Sequence, residues 1–148
     1  MTAGQTAGRT ALVAIAVIVA DQVSKAFVRA EISGSEEIDL VLGFTLIHTS
    51  NSGVAFSMFS GGGPIVVIVA IVALCALLAF FLTHIHRRLV WLPTGLLLGG
   101  AAGNLIDRIR LGAVTDFIKF PHWPAFNVAD ICVTAGVITL VYVLERVK

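Results

Sequence analysis

Apolar residues along this chain gather into long runs at about residues 11–30, 64–83, 89–109 and 128–144. A helix crossing a bilayer needs about 20 largely apolar residues, with about 17 tolerated. The second run carries no Asp, Glu, Lys or Arg and is the plainest span. Pro64 follows the glycines 61–63 and suits a first helical position, where a missing N–H costs nothing. The fourth run is short but continuous. The first and third carry charges. The first also admits a secretory signal peptide, with Arg9, the apolar ALVAIAVIVA and a break at Asp21. Against that, Ile18 stands where such a peptide prefers a small residue, and apolar character resumes in VSKAFV.

Polar positions inside the runs are spaced, not scattered. Asp21, Lys25 and Arg29 form one helical stripe, acid before base. Charges within a span face protein or water, although snorkelling bases near the surface give the same pattern. Gly95, Gly99 and Gly103 repeat the small-xxx-small spacing that lets helix backbones approach. One turn further, that stripe reaches Asp107, and its neighbour runs Gly100, Asn104, Arg108. The tight-packing face thus ends in polar groups.

Between the first two runs, Ile38, Leu40, Leu42, Phe44 and Leu46 alternate with Asp39, Val41, Gly43, Thr45 and Ile47. This period predicts one or two short strands, then a turn around SNSG. The connection 110–127 is predicted as a loop whose Phe117, Phe120, Trp123 and Phe126 suit a membrane–water interface. The predicted architecture is an all-α membrane protein. It has four transmembrane helices in one domain, 1–148, with a small sheet between helices 1 and 2 and extracytoplasmic loops at about 31–63 and 110–127.

Composition agrees with this picture. The 148 residues are 57% hydrophobic and only 13% charged, about half the usual charged share. A net charge of +1 points to no nucleic-acid partner. Cys75 and Cys132 lie in apolar runs without metal-ligand spacing and read as small fillers. Arg9, Arg87, Arg88, Arg146 and Lys148 on the side of the termini equal Lys25, Arg29, Arg108, Arg110 and Lys119 on the other. The second set belongs mostly to polar stripes, which leans the termini towards the cytoplasm.

One side of the proposed bilayer collects Asp21, Lys25, Asn51, Asn104, Asp107, Arg108, Asp116, Asn127 and Asp130. Taken singly, Asn127 reads as the N-cap of the last helix, Asp130 as its N3 residue, and Asp116 as a turn residue. Taken together, two carboxylates in a low-dielectric site share a proton and titrate as a unit. That suits peptide hydrolysis, with one acid activating water and the other protonating the substrate. No GxSxG, HExxH or Cys–His arrangement competes. His48 and His122 lie on that side without making a metal site, and His84 and His86 lie opposite.

The ordered blocks DQVSK (21–25), NSGVAF (51–56), GGAAGNLIDR (99–108), VTDF (114–117) and PAFNVAD (124–130) resemble the bacterial lipoprotein signal peptidases, or signal peptidase II. The resemblance covers about residues 12–146. It implies a four-span aspartyl endopeptidase of the inner membrane with cytoplasmic termini and an extracytoplasmic site. It further implies a monomer surrounded by membrane lipids, needing no cofactor. Such enzymes cut diacylglyceryl-modified prolipoproteins before the lipidated cysteine and are targets of globomycin. By resemblance Asp116 and Asp130 are catalytic, while Asp21, Lys25, Asn51, Gly53, Asn104, Asp107, Arg108 and Asn127 order the site or hold substrate. Val54 and Ser24 depart from the commoner alanine and threonine. The resemblance also removes the signal-peptide reading. Two other classes remain to be set against it. A small transporter would carry polar residues through the depth of span two, which has none, and an assembly subunit would not need both acids.

Overall fold

The computed structural model describes residues 1–34, 36–53 and 62–146. They form four helices, α1 (Ala3–Glu31), α2 (Gly62–His84), α3 (Trp91–Leu111) and α4 (Val128–Arg146). Val54–Phe56 of the NSGVAF block and Gly61 lie outside the described residues. By length and composition α1, α2 and α4 are long and apolar enough to cross a membrane. Their outward faces carry exposed apolar side chains, among them Ile15, Val19, Ile68, Val72, Ile138 and Val141. Exposed apolar faces on helices of this length are what a membrane protein turns to lipid. The helix α3 is different. It is glycine-rich, ends in charged residues and packs against all three others. α1 begins well before its apolar run because Thr2 and Gln5 form a capping box there.

The glycine stripe sets how closely α3 and α1 approach. A Cβ at Gly95 would lie 2.7 Å from Val13 Cβ, one at Gly99 2.7 Å from Val17 Cβ, and one at Gly103 2.6 Å from Asp21 Oδ2. Val13, Val17 and Asp21 themselves follow a helical stripe, so the two helices mesh along their length. On its other side α3 meets α4, where a Cβ at Gly100 would lie 2.6 Å from the Ala129 carbonyl. Gly136 of α4 returns the contact against Leu97. Backbone-to-backbone packing of this kind is what holds helices together where lipid offers no hydrophobic drive.

The sheet differs from expectation in one respect. It is four-stranded and antiparallel in the order β1 (Ile38–Asp39), β2 (Thr45–Asn51), β3 (Val114–Phe120) and β4 (Trp123–Phe126). Half of it therefore comes from the connection between α3 and α4, and the placement of the sheet between helices 1 and 2 alone is corrected. Asp116 sits in mid-strand and is not a turn residue. The alternating stretch at 38–47 does not run as one strand. A tight turn with Leu42 at φ 60° and Gly43 at φ 80° folds it into a hairpin. Thr115 and Phe117 turn to α1, where Arg29 Nη1 donates to Thr115 Oγ1 (2.9 Å) and Phe117 packs on Val28 and Ile32.

An irregularity in β2 positions the opposite face. Leu46 pairs with Ile118 and Thr49 with Asp116, so Ile47 and His48 oppose Phe117 alone. This extra residue inverts the alternation beyond it. In consequence Asn51, paired with Val114, shares the face of Asp116. Replacing Gly99 with leucine is expected to lower unfolding stability in detergent by about 1–3 kcal/mol, the usual cost of overpacking. Gly8→Ala, at a site with open space, should be neutral or stabilising. Thermal unfolding followed by circular dichroism checks both.

Candidate active site

The meshing of α1 and α3 closes over a buried charge cluster. Lys25, fully buried, points its ammonium at Asp21 Oδ2 (2.8 Å), Asn104 Oδ1 (2.9 Å) and Asp107 Oδ2 (3.2 Å). All three ammonium protons thus have partners. Gln22 Nε2 reaches Asp107 Oδ1 (3.0 Å), Asp21 Oδ2 (3.2 Å) and the Gly103 carbonyl (3.2 Å). The two aspartates of the cluster also grip other elements. Asp21 Oδ1 accepts from the Ala129 N–H in the first turn of α4 (3.0 Å), and Asp107 Oδ2 accepts from the Thr115 N–H of β3 (3.0 Å).

Those two grips place the elements that carry Asp116 and Asp130. Asn127 caps α4. Its Oδ1 accepts from the Asp130 N–H (2.9 Å), and Asp130 Oδ2 accepts from the Asn127 N–H (3.2 Å). The expected N-cap and N3 roles are present, each satisfying a free backbone donor. The Asn127 side-chain amide simultaneously donates to Asp116 Oδ1 (2.7 Å) and to Asn104 Oδ1 (3.1 Å). Asn104 Nδ2 donates to Asp130 Oδ1 (2.9 Å). From the sheet, Asn51 Nδ2 donates to Asp116 Oδ2 (3.0 Å), while Gly53 N–H donates to Asn51 Oδ1 (2.9 Å) and so fixes that amide. Gly53 does this at φ 78°, a conformation that favours glycine.

Of the residues singled out in the sequence, Asp21, Lys25, Asn51, Gly53, Asn104, Asp107, Asp116, Asn127 and Asp130 therefore form one connected network. Arg108 stands apart. Among the described residues it donates to the Asn104 carbonyl of its own helix (3.4 Å), and it lines a separate hollow with Ser52, Pro64 and Ile68. Gln22 and Thr115 were not singled out, although both lie inside the quoted blocks. A glutamine beside a buried aspartate was the available signal. Each aspartate opens to its own hollow. Asp116 lines one of about 230 Å³ with Thr49, Asn51 and Pro124. Asp130 heads an apolar groove of about 430 Å³ that runs down α4 past Ile131, Thr134 and Ile138.

Burial pushes the Asp116 carboxyl above the ordinary aspartate value of 3.8. The Asn51 and Asn127 amides pull it back, the Asp130 charge adds to the push, and Lys25 opposes it. The unfolded chain loses this proton first, so folded stability falls as pH rises from about 3.8 towards the raised value. Asp116→Asn removes that term. Its stability relative to wild type should therefore climb across this window and level off above it, as detergent-based unfolding at stepped pH would record. Lys25→Met leaves Asp21 and Asp107 facing each other unpaired, and should cost about 3–5 kcal/mol in the same assay.

Comparison with known proteins converges on one family. The sequence model of the signal peptidase (SPase) II family matches residues 13–145. A lipoprotein signal peptidase of Dehalococcoides mccartyi is 42% identical over 130 residues, covering 83% of this chain and 80% of that protein. One of Halothermothrix orenii is 37% identical over 134 residues, covering 90% and 92%. A solved structure described as a bacterial membrane enzyme superposes with a TM-score of 0.86 at 30% identity, covering 94% of each chain. This membrane protein belongs to the signal peptidase II family, the peptidases that process lipoprotein precursors.

Proposed function

We propose that the protein is an aspartyl endopeptidase that removes the signal peptide from diacylglyceryl-modified prolipoproteins, cutting just before the lipidated cysteine. Asp116 and Asp130 are its catalytic pair. The observation that carries this reading is that both carboxylates receive hydrogen bonds from one residue, Asn127. Two acids bridged in this way and partly withdrawn from water share a proton readily. The upward push on Asp116 supports placing that proton there. Asp130 then takes a proton from the attacking water as its oxygen bonds to the scissile carbonyl carbon. Asp116 gives its proton to the carbonyl oxygen, forming a neutral gem-diol. Collapse returns a proton from the diol to Asp116, while Asp130 passes its proton to the leaving nitrogen as the C–N bond breaks. No metal or other cofactor takes part.

The surrounding residues have supporting roles in this reading. Asp21, Lys25, Asn104, Asp107 and Asn127 hold the two acids, and Asn51 with Gly53 orients Asp116. Arg108 stands over a hollow where it can receive carbonyls of an extended precursor. The apolar groove below Asp130 opens along α4, the direction from which a lipid-anchored cysteine arrives. The chain forms one membrane domain with four spans in the bacterial cytoplasmic membrane and works as a monomer. Its termini are cytoplasmic and its site extracytoplasmic. The commitment of Lys25 to the ion cluster, Arg29 to Thr115 and Lys119 to Glu37 supports that orientation, since these bases are not free to mark a cytoplasmic loop.

The test is cleavage of a diacylglyceryl-modified precursor by purified protein. Asp116→Asn and Asp130→Asn should each reduce turnover by about 10²–10⁴-fold or more while remaining folded. Near-normal turnover in either variant would remove it from the pair. Equal cleavage of unlipidated precursor would overturn the substrate assignment. Activity lost to a chelator would sink the metal-free mechanism. Globomycin should inhibit wild type.

A further inference from the structure

The two hairpin turns of the sheet lie side by side, and both are bare and largely apolar, with His122 the one polar side chain of the turn between β3 and β4. Thr45 pairs with Lys119, so the turn between β1 and β2 meets the turn between β3 and β4 at the same end. Phe44 and Phe120 touch there with ring centroids 4.9 Å apart, and Gly43 lies against Pro121. Around this contact Leu42 is 86% exposed, Val41 78% and Trp123 67%. Leu40 and Phe120 are also exposed. This is a contiguous apolar tip at the end of the sheet remote from the Asn51–Val114 pair.

The backbone makes the tip harder to explain in water. Leu42 and Gly43 both have positive φ, and Phe44 N–H returns to the Val41 carbonyl (3.3 Å). A hairpin turn of that kind favours asparagine followed by glycine, because a bulky side chain resists φ > 0. Here a leucine takes the strained place, and its side chain packs on little of the protein. An aqueous turn gains nothing from that choice. A turn pressed into lipid does.

The position of the tip names its occupant. Trp123, the first residue of β4, lines the same groove as Ile131, Thr134 and Ile138 on the exposed apolar face of α4. The tip is therefore continuous with the lipid-facing surface of a spanning helix, at the level of its first turns. Tryptophan at such a level is characteristic of the boundary between headgroups and acyl chains. We propose that the paired turns, Leu40–Leu42 and Phe120–Trp123, insert into the phospholipid headgroup–acyl boundary and anchor the sheet to the bilayer surface. This gives the sheet a membrane contact of its own besides the helices. It holds β3, and with it Asp116, at a constant depth relative to lipid. The inference rests on α4 being a span, and the experiment separates the two.

The natural tryptophans are Trp91 and Trp123. Each is replaced by phenylalanine, and a single reporter is introduced by Leu42→Trp, or by Ile138→Trp on α4 as control. The full chain is reconstituted in phosphatidylcholine vesicles brominated either near the headgroup or near the chain ends. Fluorescence of the Leu42→Trp reporter should be quenched at least twofold, more by shallow bromines than by deep ones. Quenching of the Ile138→Trp reporter without quenching at position 42 overturns the anchor while leaving the span intact. Absence of quenching at both overturns both readings. In an otherwise wild-type chain, Val41→Glu with Leu42→Glu should raise KM several-fold for lipidated precursor in vesicles and leave cleavage in detergent micelles unchanged. An equal loss in micelles would instead make the tip a precursor-binding surface, and a shift to a lower oligomeric state would make it a contact between copies. Either outcome overturns the proposal.

Discussion

One buried ammonium group organises the polar end of this bundle. Lys25 Nζ lies between carboxylates from two helices and an asparagine that continues towards the third. Burying charges costs several kcal/mol per ion unless the geometry repays it. Here Lys25 directs its protons to three different residues, while the second oxygen of Asp21 captures a backbone donor of α4 and Asp107 Oδ2, already facing Lys25, also captures one of β3. Removing the lysine would not merely lose a pair. It would release the two grips that tell α4 and the sheet where to begin.

The glycines make that arrangement possible. The cluster needs α1 and α3 close enough for Asp21 to face Gly103, and even a Cβ at Gly103 would come within 2.6 Å of Asp21 Oδ2 and displace it. Small residues along the interface and charges at its end are therefore parts of one device. The first sets the distance and the second uses it. The stacking of the helix interface also explains why α3, unlike the other three helices, lacks a stretch apolar enough by composition to count as a membrane span. Surrounded by protein, it meets little lipid and can carry the polar groups of the site.

Asn127 carries the same economy into the pair of aspartates. It caps α4 with its side-chain oxygen and bonds Asp116 with its side-chain nitrogen. An interaction that begins a helix thus also couples its first turn to a strand. The cost of putting Asp130 at the head of an apolar helix is met in part by that cap, which satisfies backbone donors near the positive end of the helix dipole. Asp130 is consequently both a structural and a chemical group, and neither reading displaces the other.

The sequence by itself determined the helices, their close-packing stripe and the polar end of that stripe. These follow from periodicity, and periodicity is local. Spacing put Asp21 above Lys25 and Gly103 above Asp107, and Asn127 three residues before Asp130 announced its own cap. It also carried the motifs by which the family is recognised. What only the tertiary structure decided was the junction of separated segments. The loop 110–127 became half of a sheet because its strands found partners in the residues after α1, and a strand has no ladder until its neighbour is present. The extra residue in β2 inverted an alternation that the sequence reads as continuous, and this alone turned Asn51 towards Asp116. Arg108 follows Asn104 by one turn on the same stripe, yet it lines a hollow with Ser52, Pro64 and Ile68 instead of reaching either aspartate, because which segments met that part of α3 was set by packing. Local spacing specifies elements and faces, whereas a site built from a helix, a strand and a cap exists only once packing has chosen among the faces.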